Sequence, residues 1–176
     1  MSLSPSVLSV PYVYQLQRTW GLPSSVLDYA CGPACAAMLA GYARGRWPEF
    51  VRAVQLVGGQ SIVGRGTAPW AVAQAVRTLA PGVRADTAAA PNTLVARGLL
   101  SLELDRRRPL IALVRPSWVQ TGIDHYVVVT GLDLRQEQVR LNDPLAGQDV
   151  AVSLATFLTA WQRSRWSRPF TYIWMG

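Results

Sequence analysis

The sequence contains no lysine, a single histidine and only two cysteines in 176 residues. Each scarcity excludes a class of protein. Two cysteines cannot build a disulfide scaffold. With one histidine they give three soft ligands that lack the usual spacing of a zinc site, so no metal and no other cofactor is expected. No apolar run approaches the roughly 18–20 residues that a membrane span needs. Met1 to Val10 lacks the basic start and apolar stretch of a signal peptide. Gly58-Gly59 and Gly64-Arg65-Gly66 are not followed by the Lys-Ser/Thr of a phosphate-cradling loop. Charged residues make up only 15% of the chain and hydrophobic ones 50%, a balance that excludes disorder and fibre.

All the basic charge is therefore arginine. Lys and Arg together number 17 against 10 acidic residues, which gives a formal charge of +7. Only Arg106, Arg107 and Arg108 form a run. A nucleic-acid footprint would be a clustered stripe with interleaved aromatics, so no nucleic-acid partner is expected. The length fits one domain, residues 1–176, large enough for a real core. Neither a repeat nor a Pro/Gly/Ser linker divides it.

Val7 to Tyr14 reads as a short strand, with Pro11 suggesting an edge position, and a loop from Gln17 to Ala30 follows. A helix opens near Cys31-Gly32-Pro33, where proline suits a first turn. Its apolar residues Cys35, Met38, Leu39 and Tyr42 fall on one helical face. Pro48 to Val57, Ala68 to Leu79 and Asn92 to Leu104 are further helices, with Thr67 and Asn92 as caps. The rhythm then changes to strands: Leu110 to Val114, Asp124 to Leu132, Gln138 to Asn142 and Asp149 to Val152. Ser153 caps a last helix, with Leu154, Phe157, Leu158 and Trp161 at helical spacing, and Phe170 to Trp174 closes as a strand. Helices first and an antiparallel sheet second define an α+β fold. The seven tryptophans read mostly as core or half-buried anchors, with Trp118 placed to line a cleft.

The chemistry centres on His125. A lone histidine in an apolar strand is commonly a satisfied core residue, but Cys31 changes its context. At a helix N-terminus the dipole favours the thiolate, so the two suggest a cysteine–histidine pair. A histidine base needs an acceptor on its other ring nitrogen. Asp143 follows the strand Gln138 to Asn142, directly before Pro144, and His125 begins the preceding strand, so in a hairpin both reach the same end of the sheet. Residues directly opposite share a face, so 125 and 143 require an odd loop. Three residues, Asp133, Leu134 and Arg135, would set them opposite, and five would set them diagonally. A two-residue turn without a bulge would aim them apart. Asn142 is the adjacent alternative, Asp124 points to the other face, and Asp143-Pro144 also reads as a turn former. Cys35 reads as a small buried core residue, since a bond to Cys31 across one helical turn has poor geometry.

Four segments carry a family resemblance. Tyr29-Ala30-Cys31-Gly32-Pro33-Ala34-Cys35-Ala36-Ala37-Met38 resembles the nucleophile helix of the bacteriocin-processing peptidases and the broader bacterial group similar to them. These are papain-like cysteine peptidases, some of which remove leader peptides after a double glycine. Val10-Pro11-Tyr12-Val13-Tyr14-Gln15 resembles the family's opening strand. His125-Tyr126-Val127-Val128-Val129-Thr130-Gly131 and Asn142-Asp143-Pro144 resemble its histidine and aspartate motifs. The resemblance implies a papain-like domain with a helical half packed on a sheet half. Cys31 would be its nucleophile, His125 its base and acid, Asp143 its orienter, and Gln15 would donate to the oxyanion. The 16 positions from Gln15 to Cys31 exceed the spacing of the leader-processing enzymes, and Gln17, on the same strand face, is the alternative. The implied partner is a peptide or protein substrate, and the implied reaction is hydrolysis through a thioester. Acyl transfer by the same residues and peptide binding without cleavage are the alternatives.

Overall fold

The computed structural model describes residues 7–165 and 167–176. Residues 1–6, the start of the segment read for an export signal, and Trp166 lie outside them. From residue 7 to 14 the chain joins no sheet, contrary to the strand expected there. Leu8 donates its N–H to the Thr130 carbonyl at 2.8 Å, but the Val10 N–H turns back to Leu8 and Pro11 has none to give, so no ladder can form. The loop after Gln17 contains a 3-10 turn, Arg18–Trp20, and the short helix α1, Ser24–Leu27.

Helix α2, Cys31–Arg44, is the central element. Gly45 ends it at φ +60°, its N–H bonded to the carbonyls of Gly41 and Tyr42. Every residue from Gly32 to Gly41 is buried, not one face alone. Small side chains at Ala34, Ala36, Ala37 and Ala40 let α3 (Phe50–Leu56), α4 (Pro69–Leu79) and the sheet close around it. Helices α5, Thr93–Asp105, and α6, Leu154–Gln162, begin at side-chain caps: Asn92 accepts from the Val95 N–H at 3.0 Å and Ser153 from the Thr156 N–H at 3.1 Å. Thr67 does not cap α4. Ala68 holds that position and Pro69 begins the helix, where its missing N–H costs nothing.

Six antiparallel strands form one sheet in the order β1-β6-β2-β3-β4-β5. They are β1 (Ala85–Ala89), β2 (Leu110–Val114), β3 (His125–Asp133), β4 (Gln138–Asp143), β5 (Gly147–Ser153) and β6 (Thr171–Met175). The expected strands are present, and β1 is an addition. Its sequence, Ala-Asp-Thr-Ala-Ala, has little strand preference of its own; pairing with β6 at the sheet edge makes it a strand.

Helices cover both faces of the sheet. Tyr126 lies opposite Leu113 and packs close to Gly32 of α2, while Tyr172, opposite Ala112, meets Trp161 of α6 at 6.2 Å between ring centres. Adjacent residues of one strand point to opposite faces, so α2 and α6 sit on opposite sides of the sheet. That explains why β2 and the first seven residues of β3 are buried throughout. Trp161 is fully buried against Phe157 and Phe170. Trp47 and Trp70 depart from the anchoring role expected of them, at 86% and 65% exposed.

The hairpin of β3 and β4 carries an irregularity that matters for the site. Asp133 pairs with Gln138, so the turn is residues 134–137, an even number. Carried along a regular ladder, that register would put residues 125 and 143 on opposite faces. Between Val129 and Gly131 the register shifts: Gly131 pairs with Arg140, and Val129 with Leu141. Thr130 is the extra residue of this bulge, and it restores the shared face. Gly131 leaves room there, since a Cβ would come within 3.3–3.4 Å of Val7 and Arg140.

Candidate active site

Cys31 is the first residue of α2, where the backbone N–H groups of the opening turn have no intrahelical partner. Gly32 follows in a tight place: a Cβ would lie 3.0 Å from Val72, 3.1 Å from Thr67 and 3.3 Å from Tyr126, so these side chains would have to give way. That tight contact seats the thiol against the start of β3. Burial pushes the Cys31 thiol up. The hydrogen bond and charge of His125, with the N–H groups of Tyr126 and Gly32, outweigh burial and hold it below its ordinary value.

His125 is 2% exposed. Its Nε2 donates to Asp143 Oδ1 at 2.8 Å, and its other ring nitrogen is left for Cys31. Burial pushes the imidazole down, but its bonds to Asp143 and Cys31 raise it to about 9. The two shifts run in opposite directions, and each favours the charged form of its group, thiolate on Cys31 and imidazolium on His125.

Asp143 is wholly buried and accepts four hydrogen bonds. Oδ1 takes His125 and the N–H groups of Leu145 at 2.9 Å and Ala146 at 3.2 Å. Oδ2 takes the Trp118 indole N–H at 2.9 Å. Burial pushes its carboxyl up; His125, the Leu145 N–H and Trp118 outweigh this and keep it below the ordinary carboxylate value. The carboxylate thus caps the Asp-Pro turn and meets the histidine at once. Asn142 is spent elsewhere, donating to the Val10 carbonyl at 3.0 Å and accepting from the Asp149 N–H at 3.1 Å. Asp124 turns away to Ser164 and the Arg165 N–H, at 2.8 and 2.7 Å.

Gln15 is buried and donates from Nε2 to the Leu27 carbonyl at 2.8 Å, which uses one of that nitrogen's two protons. Its Oε1 is buried without a hydrogen-bond partner among the described residues. Gln17 is exposed and bonded to Thr19. Cys35 is fully buried and its thiol is pushed well above the ordinary value by burial. Among the described residues no group of histidine, cysteine and acidic side chains could hold a metal, and no helix is long and apolar enough to cross a membrane.

Gln15, Cys31 and His125 open onto one cavity of about 790 Å³. The Gly64–Thr67 loop lines one side, held to β3 by the Tyr126 hydroxyl, which donates to the Thr67 carbonyl at 2.8 Å. Residues 119–124 line another. Trp118 does not line it, contrary to expectation; its ring is turned inward to Asp143. Sequence reading missed this contact. The available signal was a tryptophan a few residues before the histidine strand, but which way its ring turns depends on the Asp143 turn, 25 residues away.

Residues 97–167 match the model of the Peptidase_C39 like family, a stretch that includes His125 and Asp143 but not Cys31 or Gln15. No curated protein matches the chain in sequence. Among solved structures the chain is similar to a protein described as a C39-like peptidase from Bacillus anthracis, with a TM-score of 0.73, 18% identity and coverage of 99% of this chain and 98% of that one. It is also similar to a double glycine motif protease from an AMS/PCAT transporter, solved in complex with the leader peptide, with a TM-score of 0.58, 19% identity and coverage of 99% and 98%. At such identities the likeness is one of fold. The α+β architecture and the resemblance read from the four motifs are borne out together.

Proposed function

We propose, for a chain with the fold of the C39-like peptidases, that it is a cysteine peptidase that hydrolyses a peptide bond through a thioester. One observation supports this above the others. The single histidine of the chain is bonded to Asp143 at 2.8 Å through one ring nitrogen and faces Cys31 with the other, beside a cavity large enough for a peptide segment. The leader peptide bound by the double glycine motif protease supports a peptide substrate.

The Cys31 thiolate attacks the carbonyl carbon and forms a tetrahedral oxyanion. The Cys31 backbone N–H and the second Nε2 proton of Gln15 stabilise it; loss of one such donor costs about 100–1,000-fold in turnover in comparable enzymes. His125 gives its proton to the leaving amine, the C–N bond breaks and a thioester remains. Water then attacks the thioester and gives its proton to His125. The product leaves as a carboxylic acid that ionises in solvent, and the thiolate returns. Asp143 holds the imidazole in one orientation and stabilises its positive form.

The test is digestion of a diverse peptide pool in ¹⁸O water, with products sequenced by mass spectrometry. Hydrolysis gives new C-termini carrying ¹⁸O, absent with Cys31→Ala. New amides with an added amine acceptor, without ¹⁸O, mean acyl transfer. Peptides retained uncut by the wild type mean a binding domain.

A further inference from the structure

The peptidase reading uses one oxygen of Asp143 and leaves the other unexplained. Oδ1 is saturated by His125 and two backbone N–H groups, whereas Oδ2 accepts from Trp118 alone among the described residues. A wholly buried carboxylate with one bare oxygen would be pushed toward its neutral form, which cannot support an imidazolium. The indole N–H removes that penalty and fixes the carboxylate plane, so that Oδ1 stays aimed at His125 Nε2. A neutral donor suits the task better than an arginine, whose charge would draw the carboxylate away from the imidazolium and weaken it.

Trp118 also belongs to the segment that builds the cleft. Residues 119–124 line the cavity, and Arg115 clasps their far end by donating to the Gly122 carbonyl at 2.7 Å, with its guanidinium 3.6 Å from Asp124. The Trp118 ring packs on the core while the chain that follows it turns outward into the wall. One side chain thus joins the wall to the carboxylate.

We infer that Trp118 is a positioning residue for the reaction proposed above, holding Asp143 in the plane that orients His125 and tying that plane to the cleft wall at residues 119–124. The inference rests on the peptidase reading for what the orientation achieves. Among the described residues, Tyr12 and Cys35 are the further titratable groups that act on Asp143, and Cys31 acts on His125. Tyr12, whose hydroxyl donates to the Asp143 carbonyl, is pushed up to about 12, and Cys35 lies well above an ordinary thiol, so both stay neutral in the range of interest.

Trp118→Phe keeps the ring and removes the donor. The chain has one histidine, so proton NMR gives one imidazole titration. The wild type is expected to titrate near 9, and Trp118→Phe at least one unit closer to the ordinary value of about 6.5. Turnover is expected to fall by about 10–100-fold, as for other partners that orient a histidine, with KM little changed. In an Asp143→Asn background Trp118→Phe should add no further loss in the rate of Cys31 alkylation, because the donor then has no carboxylate to hold. If Trp118→Phe fails to fold, benzothienylalanine at position 118, which replaces the N–H by sulfur in the same shape, replaces it in the test. An unchanged imidazole titration, or an equal loss in the Asp143→Asn background, overturns the inference. A wild-type imidazole that itself titrates near 6.5 overturns the peptidase reading instead.

Discussion

A thiol and an imidazole side by side shift each other in opposite directions, and the consequences can be worked out by sign. The Cys31 thiol is held down and the His125 imidazole is raised to about 9. In the proposed reaction the thiolate–imidazolium form is the competent one, and both shifts widen the interval in which the two groups are charged together. Peptide hydrolysis needs both members, so its rate should rise on the acid side below the ordinary thiol value and fall as pH passes about 9. Alkylation needs only the thiolate and should not fall there. Profiles that part above pH 9 are the expected outcome; profiles that fall together would mean that His125 gives no proton to the leaving group. Gln15→Ala separates the same steps differently. It should lower turnover by about 100–1,000-fold and leave the alkylation rate nearly unchanged, because alkylation builds no oxyanion. Gly32→Ala should destabilise the fold by about 1–3 kcal/mol in thermal or denaturant unfolding, since its Cβ would crowd Val72, Thr67 and Tyr126.

The elements deliver these side chains, and the hairpin of β3 and β4 does so by an unexpected route. Its turn is even, which by parity should part His125 from Asp143, and the bulge at Thr130 brings them back to one face. Deleting Thr130 would remove the extra residue while leaving Gly131 opposite Arg140 and Val129 opposite Leu141, so the shared face and the fast alkylation of Cys31 at low pH should survive. An ordinary thiol pH dependence in the deletion variant would contradict this account of the hairpin. Helix α2 and strands β2 to β6 were legible because hydrophobic period, proline and caps agree along each. What was not legible depended on distant partners. Strand β1 exists through its pairing with β6, the 7–14 segment is held at single points by Thr130 and Asn142, and the bulge lies where Val7 packs on Gly131. The residues of the proposed triad could be named from the sequence, because cysteine at a helix start, a lone histidine and an Asp-Pro step each carry local chemistry. Trp118 was placed in the wrong surroundings because its partner is set by the folded turn.

Across the whole molecule, the sheet separates stability from chemistry. Cys31 and its helix lie on one face, while Trp161 fills the core on the other with Phe157 and Phe170. Trp161→Ala should cost about 3–5 kcal/mol and lower the melting temperature by roughly 6–20 °C for a chain of this size. Turnover per folded molecule should stay within about twofold, since additivity holds for sites without shared partners. A large loss of turnover at temperatures where the variant is folded would mean that the two faces are coupled through β2 and β3.

The most direct measurement is the rate of iodoacetamide labelling of Cys31 from pH 4 to 9, located by mass spectrometry, in the wild type and in His125→Ala. The expected result is fast labelling well below the ordinary thiol value of about 8.5, lost in His125→Ala, with Cys35 unlabelled in the folded protein. Slow labelling of Cys31 that follows an ordinary thiol titration, indifferent to His125→Ala, would contradict the thiolate–imidazolium pair and the peptidase chemistry built on it.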